Sequence, residues 1–254
     1  MTDVATLISS WQEADGALPR LTWYGPGGER VELSGQVLAN WVIKVANLLT
    51  EEADADDGSE VLIDLPVHWR TLAWSLGAWL VGAQVRFGPR VTGGGPHGAP
   101  TGSAAATVAT GGTPEAPAGN TRGAPGGDTP DVIVTDQPEQ TAGSEVLIAV
   151  ALPALAMAFD GDLPPGAIDG AADLMTYPDE LVMPTEPAGL DEISGPAWDG
   201  AKRVLVDADT TDVVRQVLAI WRAGGSVVLV ADPDADHDHL AGSESAALTS
   251  PANR

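Results

Sequence analysis

The chain contains no cysteine. That absence excludes disulfide staples, thiolate zinc sites, iron–sulfur clusters and cysteine nucleophiles, and leaves the redox compartment open. Basic residues are scarce as well: 12 Lys and Arg stand against 36 Asp and Glu, for a net charge of −24. The cations are scattered singly, apart from the pair Lys202-Arg203. No compact basic face emerges, so nucleic acid and anionic membrane are not expected partners, and the acidity reads as a solubilising surface. No stretch approaches the roughly 18 apolar residues of a membrane span, and the opening MTDVATLISSWQEADG lacks a basic segment followed by an apolar run. A cytoplasmic location is the expectation.

The usual catalytic signatures are missing too. The segment from Gly195 through Gly200 to Lys202 and Arg203 comes near a Walker loop, but the lysine falls one position late, Arg203 replaces the magnesium-binding hydroxyl and a strand follows. No serine sits in a Gly-x-Ser-x-Gly elbow, and no dinucleotide fingerprint occurs. Asp232, Asp234, Asp236 and Asp238 alternate as in the start of an EF-hand loop, but His237 stands where glycine is needed and Ser243 where glutamate is needed. Neither a metal site nor any catalytic residue is expected.

What is present is an α/β pattern. Residues 21–25 and 30–33 are β-prone runs around Pro26-Gly27-Gly28, the turn chemistry of a hairpin. Ser34 can cap a helix whose Val37, Leu38, Trp41, Val42, Val45, Leu48 and Leu49 recur at helical spacing. Residues 61–65 form a buried-type strand interrupted by Asp64, Pro66 separates it from a tryptophan-rich helix, and residues 85–87 resume extended structure. Residues 131–135 and 145–150 read as short strands and 153–159 as a helical turn or two, while 160–200 is rich in Pro, Gly and Asp and reads as irregular. Residues 203–206, 211–223 and 226–230 form a βαβ crossover. The expected organisation is an α/β segment over 1–91, a low-complexity disordered insertion over 92–129, a continuation of the same α/β domain over 130–232, and an acidic mobile tail over 233–254.

Ligands of open α/β sheets gather at the carboxyl ends of strands, and the helix after Pro66 begins at such an end. His68, Trp69 and Arg70 are therefore the candidate ligand-binding residues. The blander alternative there is a helix start with Trp69 packed inward and His68 and Arg70 in solvent. The eight tryptophans suit a core, a ligand pocket or a protomer interface, which leaves room for a homodimer.

Residues 28–34 (GERVELS), the helix containing VANLL at 45–49, the strand ending Leu65-Pro66 and the helix ending LVGAQV at 80–85 resemble, in order and spacing, the opening of AMP-binding, acyl-CoA synthetase-like enzymes. The chain also resembles an uncharacterised actinobacterial family of short proteins related to those synthetases, through LPVHWR, GAWLVGAQV, PPGAIDGAADL and RAGGSVVLV. The resemblance implies a layered α/β fold derived from the N-terminal domain of adenylate-forming enzymes, in truncated form. It does not carry the activity across. Those enzymes hold ATP phosphates with a Ser/Thr/Gly-rich loop ending in Pro-Lys-Gly and use a lysine on a mobile C-terminal domain, whereas the only lysines here are Lys44 and Lys202. ATP or AMP is thus possible as a ligand without support from a motif. The expectation is a non-catalytic relative that binds an acyl or nucleotide-like ligand or a partner protein; the alternative is a ligase completed by a partner chain or using a remodelled site.

Overall fold

The computed structural model describes residues 3–13, 16–91, 129–141, 144–195, 198–200, 202–208 and 212–249. Apart from Thr129, the expected 92–129 insertion lies outside the described residues.

The chain opens with α1 (Val4–Glu13), whose Val4, Leu7, Ile8 and Trp11 line one buried face at helical spacing. The hairpin β1 (Pro19–Gly25) and β2 (Glu29–Ser34) follows. Its turn puts Gly27 at φ 76° and Gly28 at φ 81°, a left-handed backbone that glycine adopts without a Cβ penalty. Ser34 then caps α2 (Gly35–Ala53) by accepting from the Val37 amide, as its sequence predicts. Next come β3 (Glu60–Asp64), α3 (Trp69–Leu80), β4 (Gln84–Phe87), β5 (Val132–Thr135), β6 (Val146–Ala149) and β7 (Ile168–Asp169). The last stretch holds α4 (Leu190–Ile193), β8 (Arg203–Asp207), α5 (Val213–Arg222), β9 (Ser226–Val230), α6 (His237–Ser243) and β10 (Ala247–Leu248).

These strands build two five-stranded sheets, ordered β10-β8-β9-β1-β2 and β4-β3-β5-β6-β7. The second is wholly parallel; the first is parallel except for the β1–β2 hairpin at its edge. Strands buried on both faces account for the unbroken apolar runs of β5 and β9. α2 and α3 lie against each other, and one apolar cluster joins them to both sheets. α3 is buried along its whole length, which its tryptophans, Gly77 and Ala78 make possible.

Two expectations are corrected. Residues 153–159 form no helix; Pro153 and the small residues around it run as bends and turns between β6 and β7. The supposed tail beyond Asp232 forms α6 and β10. Asp236 caps α6 by accepting from the His239 amide, and β10 pairs with β8 in parallel. The anchor is Glu244. Tyr24 Oη donates to it at 2.5 Å, Arg203 Nη2 at 2.5 Å and Arg30 Nη2 at 3.0 Å. Acidic composition hid this because the partners sit some 200 residues earlier in the chain for two of the three contacts.

Burial by itself would raise the Glu244 pKa, but the hydrogen bonds from Tyr24, Arg203 and Arg30 outweigh it and hold the carboxyl at about 2. A carboxyl depressed in the folded state stabilises the fold above its unfolded pKa of roughly 4.3, and that contribution is lost as pH falls through about 2. Glu244→Gln is expected to cost about 1–3 kcal/mol at neutral pH and to flatten the loss of stability between these two pH values. Chemical denaturation at several pH values checks it; parallel curves for the two proteins would contradict the assignment.

Candidate functional site

Pro66 ends the extended run after β3, and its carbonyl accepts from Thr71 Oγ1 at 2.5 Å, which fixes the turn into α3. His68 is the N-cap. Its backbone is extended (φ −147°, ψ 158°), and its Nδ1 accepts from the Arg70 amide at 3.1 Å. An accepting Nδ1 places the proton of a neutral imidazole on Nε2. Burial first, then the positive charge of Arg70, pushes the His68 pKa down to about 3.

Around this cap the structure gathers aromatic rings from three elements. Trp23 of β1 meets the His68 ring edge-on at 4.1 Å, and Trp41 of α2 meets Trp69 edge-on at 5.0 Å. The Arg70 guanidinium lies over both the Trp69 ring, at 4.4 Å, and the Trp41 ring, at 4.9 Å. Cation–π attraction is stronger for desolvated groups, and Arg70 is only 2% exposed. Burial pushes its pKa down to about 10, partly offset by the charge of Glu29. Its Nη2 donates to Pro153 O at 3.3 Å.

The structure thus brings the three predicted residues together but buries all of them, so neither His68 nor Arg70 sits in solvent. Between His68, Thr71 and Leu72 on one side and Val213 and Leu229 on the other runs an apolar crevice too narrow to hold a water molecule.

A second polar group at the carboxyl ends of strands was not anticipated. Arg90 Nη2 donates to the Asp64 carbonyl at 2.5 Å and pairs with Asp136 Oδ1 at 2.7 Å and Asp64 Oδ2 at 3.5 Å. The signal was present in the sequence: Asp64 closes one strand, and Asp136 directly follows another. Gly88 makes room, since a Cβ there would stand 2.3 Å from Asp64 Oδ1.

The remaining candidates have structural roles. Lys44 Nζ bonds to Tyr177 O and pairs with Asp179. Lys202 immediately precedes β8, so a strand follows it where a phosphate loop would lead into a helix. Asp232 accepts from the Asp234 amide. Among the described residues no group of three or more His, Asp or Glu is placed to hold a metal ion, and no helix is long and apolar enough to cross a membrane.

Two parallel-rich sheets sharing one apolar core with α2 and α3 can be compared directly with solved structures. An acyl-CoA synthetase of Brucella canis superposes on 97% of this chain with a TM-score of 0.63 at 14% identity. The fold is that of the N-terminal domain of adenylate-forming enzymes. Klebsiella oxytoca NpsA in complex with 3-hydroxyanthranilyl-AMSN matches 98% of the chain with a TM-score of 0.57 at 9% identity. The N-terminal subdomain of NpsA alone matches with a TM-score of 0.56 at 8% identity. The chain spans about half the length of the solved enzymes, 46% of the Brucella protein and 47% of NpsA. In sequence, a TIGR03089 family protein of Mycobacterium tuberculosis is 46% identical over 79 residues, which is 31% of this chain and 32% of that protein. No protein-family model matches the chain.

Proposed function

We propose that this chain is a non-catalytic relative of the acyl-adenylate ligases that works as a binding module for an acyl or nucleotide-like ligand or for a partner protein. One observation carries the reading: His68 and Arg70 are buried among the rings of Trp23, Trp41 and Trp69. That burial pushes the His68 pKa down to about 3 and the Arg70 pKa down to about 10. A general acid or base works best with a pKa near the operating pH, and neither group meets that condition at pH 7. A desolvated cation between indole rings can hold a ligand without exchanging a proton with it. The resemblance to the short actinobacterial family belongs to this reading, as do a cytoplasmic location and self-association.

With ATP–magnesium and a panel of carboxylic acids, the purified chain is expected to release no pyrophosphate above background, while an acyl-adenylate mimic raises its melting temperature by mass action. Pyrophosphate release that disappears in His68→Ala and Arg70→Ala would overturn the reading in favour of a remodelled active site.

A second reading rests on the fold shared with the solved ligases: an AMP-forming ligase completed by another polypeptide. It requires that a chain bearing a lysine-carrying domain co-purify and restore pyrophosphate release. Recovery of self-associated protein alone counts against it.

A further inference from the structure

Three buried donors of the cluster have no acceptor among the described residues: Trp23 Nε1, Trp69 Nε1 and Arg70 Nε. They are linked through His68, whose ring touches Trp23 at 4.1 Å and Trp69 at 5.6 Å, while Arg70 lies over Trp69. Buried donors are normally satisfied, and a buried cation normally has a counter-charge. Among the described residues Arg70 makes no ion pair, in a chain of net charge −24. Among the described residues its guanidinium has one hydrogen-bond partner, the neutral carbonyl of Pro153. The charge of Glu29 acts on Arg70 without an ion pair to it, so what remains unmet is a direct acceptor, and a negatively charged one would be bound by a planar guanidinium beside indole N–H groups with charge-assisted hydrogen bonds.

The segment over Arg70 is anchored at its ends, by buried Ala151 and core-packed Leu152 and by the Phe159 amide donating to Asp169 Oδ2 at 2.9 Å. Its middle is held to Arg70 and Glu29 only by Arg70 Nη2 to Pro153 O and the Ala154 amide to Glu29 Oε1, both at 3.3 Å, the long end of the hydrogen-bond range. It carries no regular structure, and it turns Leu155 and Met157 outward, 93% and 71% exposed. Few buried apolar contacts mark the stretch from Pro153 to Met157 as one that opens at low cost.

We propose that Trp23, Trp69 and Arg70 form an anion-binding site, covered by the strap of residues 151–159, and that an arriving carboxylate or phosphate displaces the Pro153 carbonyl from Arg70. The inference deepens the binding-module reading and rests on it. The ring faces of Trp41 and Trp69 select for an anion carried on a flat apolar body, and opening the strap brings Leu155 and Met157 to the mouth of the site.

The test is a thermal-shift titration of the whole chain with benzoate, acetate, inorganic phosphate and the neutral isostere benzamide at matched ionic strength, with hydrogen exchange followed across the strap. The site requires that at least one anion stabilise the protein while benzamide does not, that Arg70→Gln weaken that anion at least tenfold, and that the Ala154 amide exchange faster with the anion present. Stabilisation by benzoate and acetate alone identifies a carboxylate; stabilisation by phosphate alone identifies a phosphate. Should Arg70→Gln fail to fold, Trp69→Phe removes one unmet donor while keeping a ring, and is expected to weaken the anion several-fold. No stabilisation by any anion, or stabilisation undiminished in the variants, overturns the site, and unchanged exchange at the strap overturns the displacement. Pyrophosphate release would instead defeat the non-catalytic reading and leave these binding results standing.

Discussion

Trp221→Ala is expected to cost about 3–5 kcal/mol of folding stability, a large fraction of the margin on which a domain of ordinary stability rests. Trp221 is fully buried on α5 and meets Trp11 of α1 edge-on at 5.2 Å and 73°. Its Nε1 donates to the Arg20 carbonyl of β1 at 2.9 Å. One side chain therefore ties α5 to both the first helix and the first strand, and truncation leaves a cavity and an unpaired carbonyl together. Trp221→Phe keeps an aromatic face and loses the hydrogen bond, so its cost is expected at about 1–2 kcal/mol. Urea denaturation measures both. A loss below about 1 kcal/mol for the alanine variant would show that α5 does not pack as described.

Gly77→Ala is expected to be nearly as damaging, at about 2–3 kcal/mol, although it adds a single methyl group. A Cβ at this position would lie 2.3 Å from Val45 Cγ1 and 2.6 Å from Val45 Cβ, with the Val42 carbonyl at 3.2 Å. Val45 is fully buried and β-branched, so it has no alternative rotamer into free space in a helix. The backbones of α2 and α3 must move apart, which disturbs the very helices that carry Trp41, Trp69 and Arg70. The same contact supplies a control. Val45→Ala removes the closer of the two clashes, that with Cγ1, while keeping the Cβ, so the double variant Gly77→Ala with Val45→Ala is expected to be more stable than the sum of the two single losses by about 1 kcal/mol. Additive losses would mean that the two residues do not touch.

How much of this was legible in the sequence depended on how local the cause was. The hairpin was readable because Pro26, Gly27 and Gly28 supply their own turn geometry, and α2 because Ser34 and the recurrence of Leu38, Val42, Val45 and Leu49 need no distant partner. The crossover β8–α5–β9 was readable from two apolar runs around one amphipathic helix. α1 carries an equally plain pattern in Val4, Leu7, Ile8 and Trp11 and could have been found by the same reasoning. The misses depended on distant residues. α6 and β10 are short and polar, and they stay in place because Glu244 meets Tyr24, Arg30 and Arg203.

At the candidate site the sequence pointed to His68, Trp69 and Arg70 for reasons of strand-end geometry. It allowed for an inward Trp69 but gave no sign that His68 and Arg70 are buried with it. That burial needs Trp41 from α2 and Trp23 from β1 to close over α3, and no spacing within His68-Trp69-Arg70 encodes either contact. The result is a different chemistry from that of a solvated helix start: a cation held against indoles, and a histidine kept neutral.

The pairing of β1 with β9, Leu21 opposite Val227 through Tyr24 opposite Val230, places the two ends of the sequence side by side in one sheet. During synthesis the hairpin β1–β2 leaves the ribosome long before β9 exists, so its inner edge waits, unpaired, while roughly two hundred further residues are made. Contacts so remote in sequence slow folding and prolong the exposure of strand edges. A chain interrupted before Ser226 would keep β3, α3 and β4 yet leave Trp23 without the strand beside it. The aromatic cluster is therefore among the last features of the molecule to be completed, and a released fragment would expose the edge of β1 to pairing with other chains.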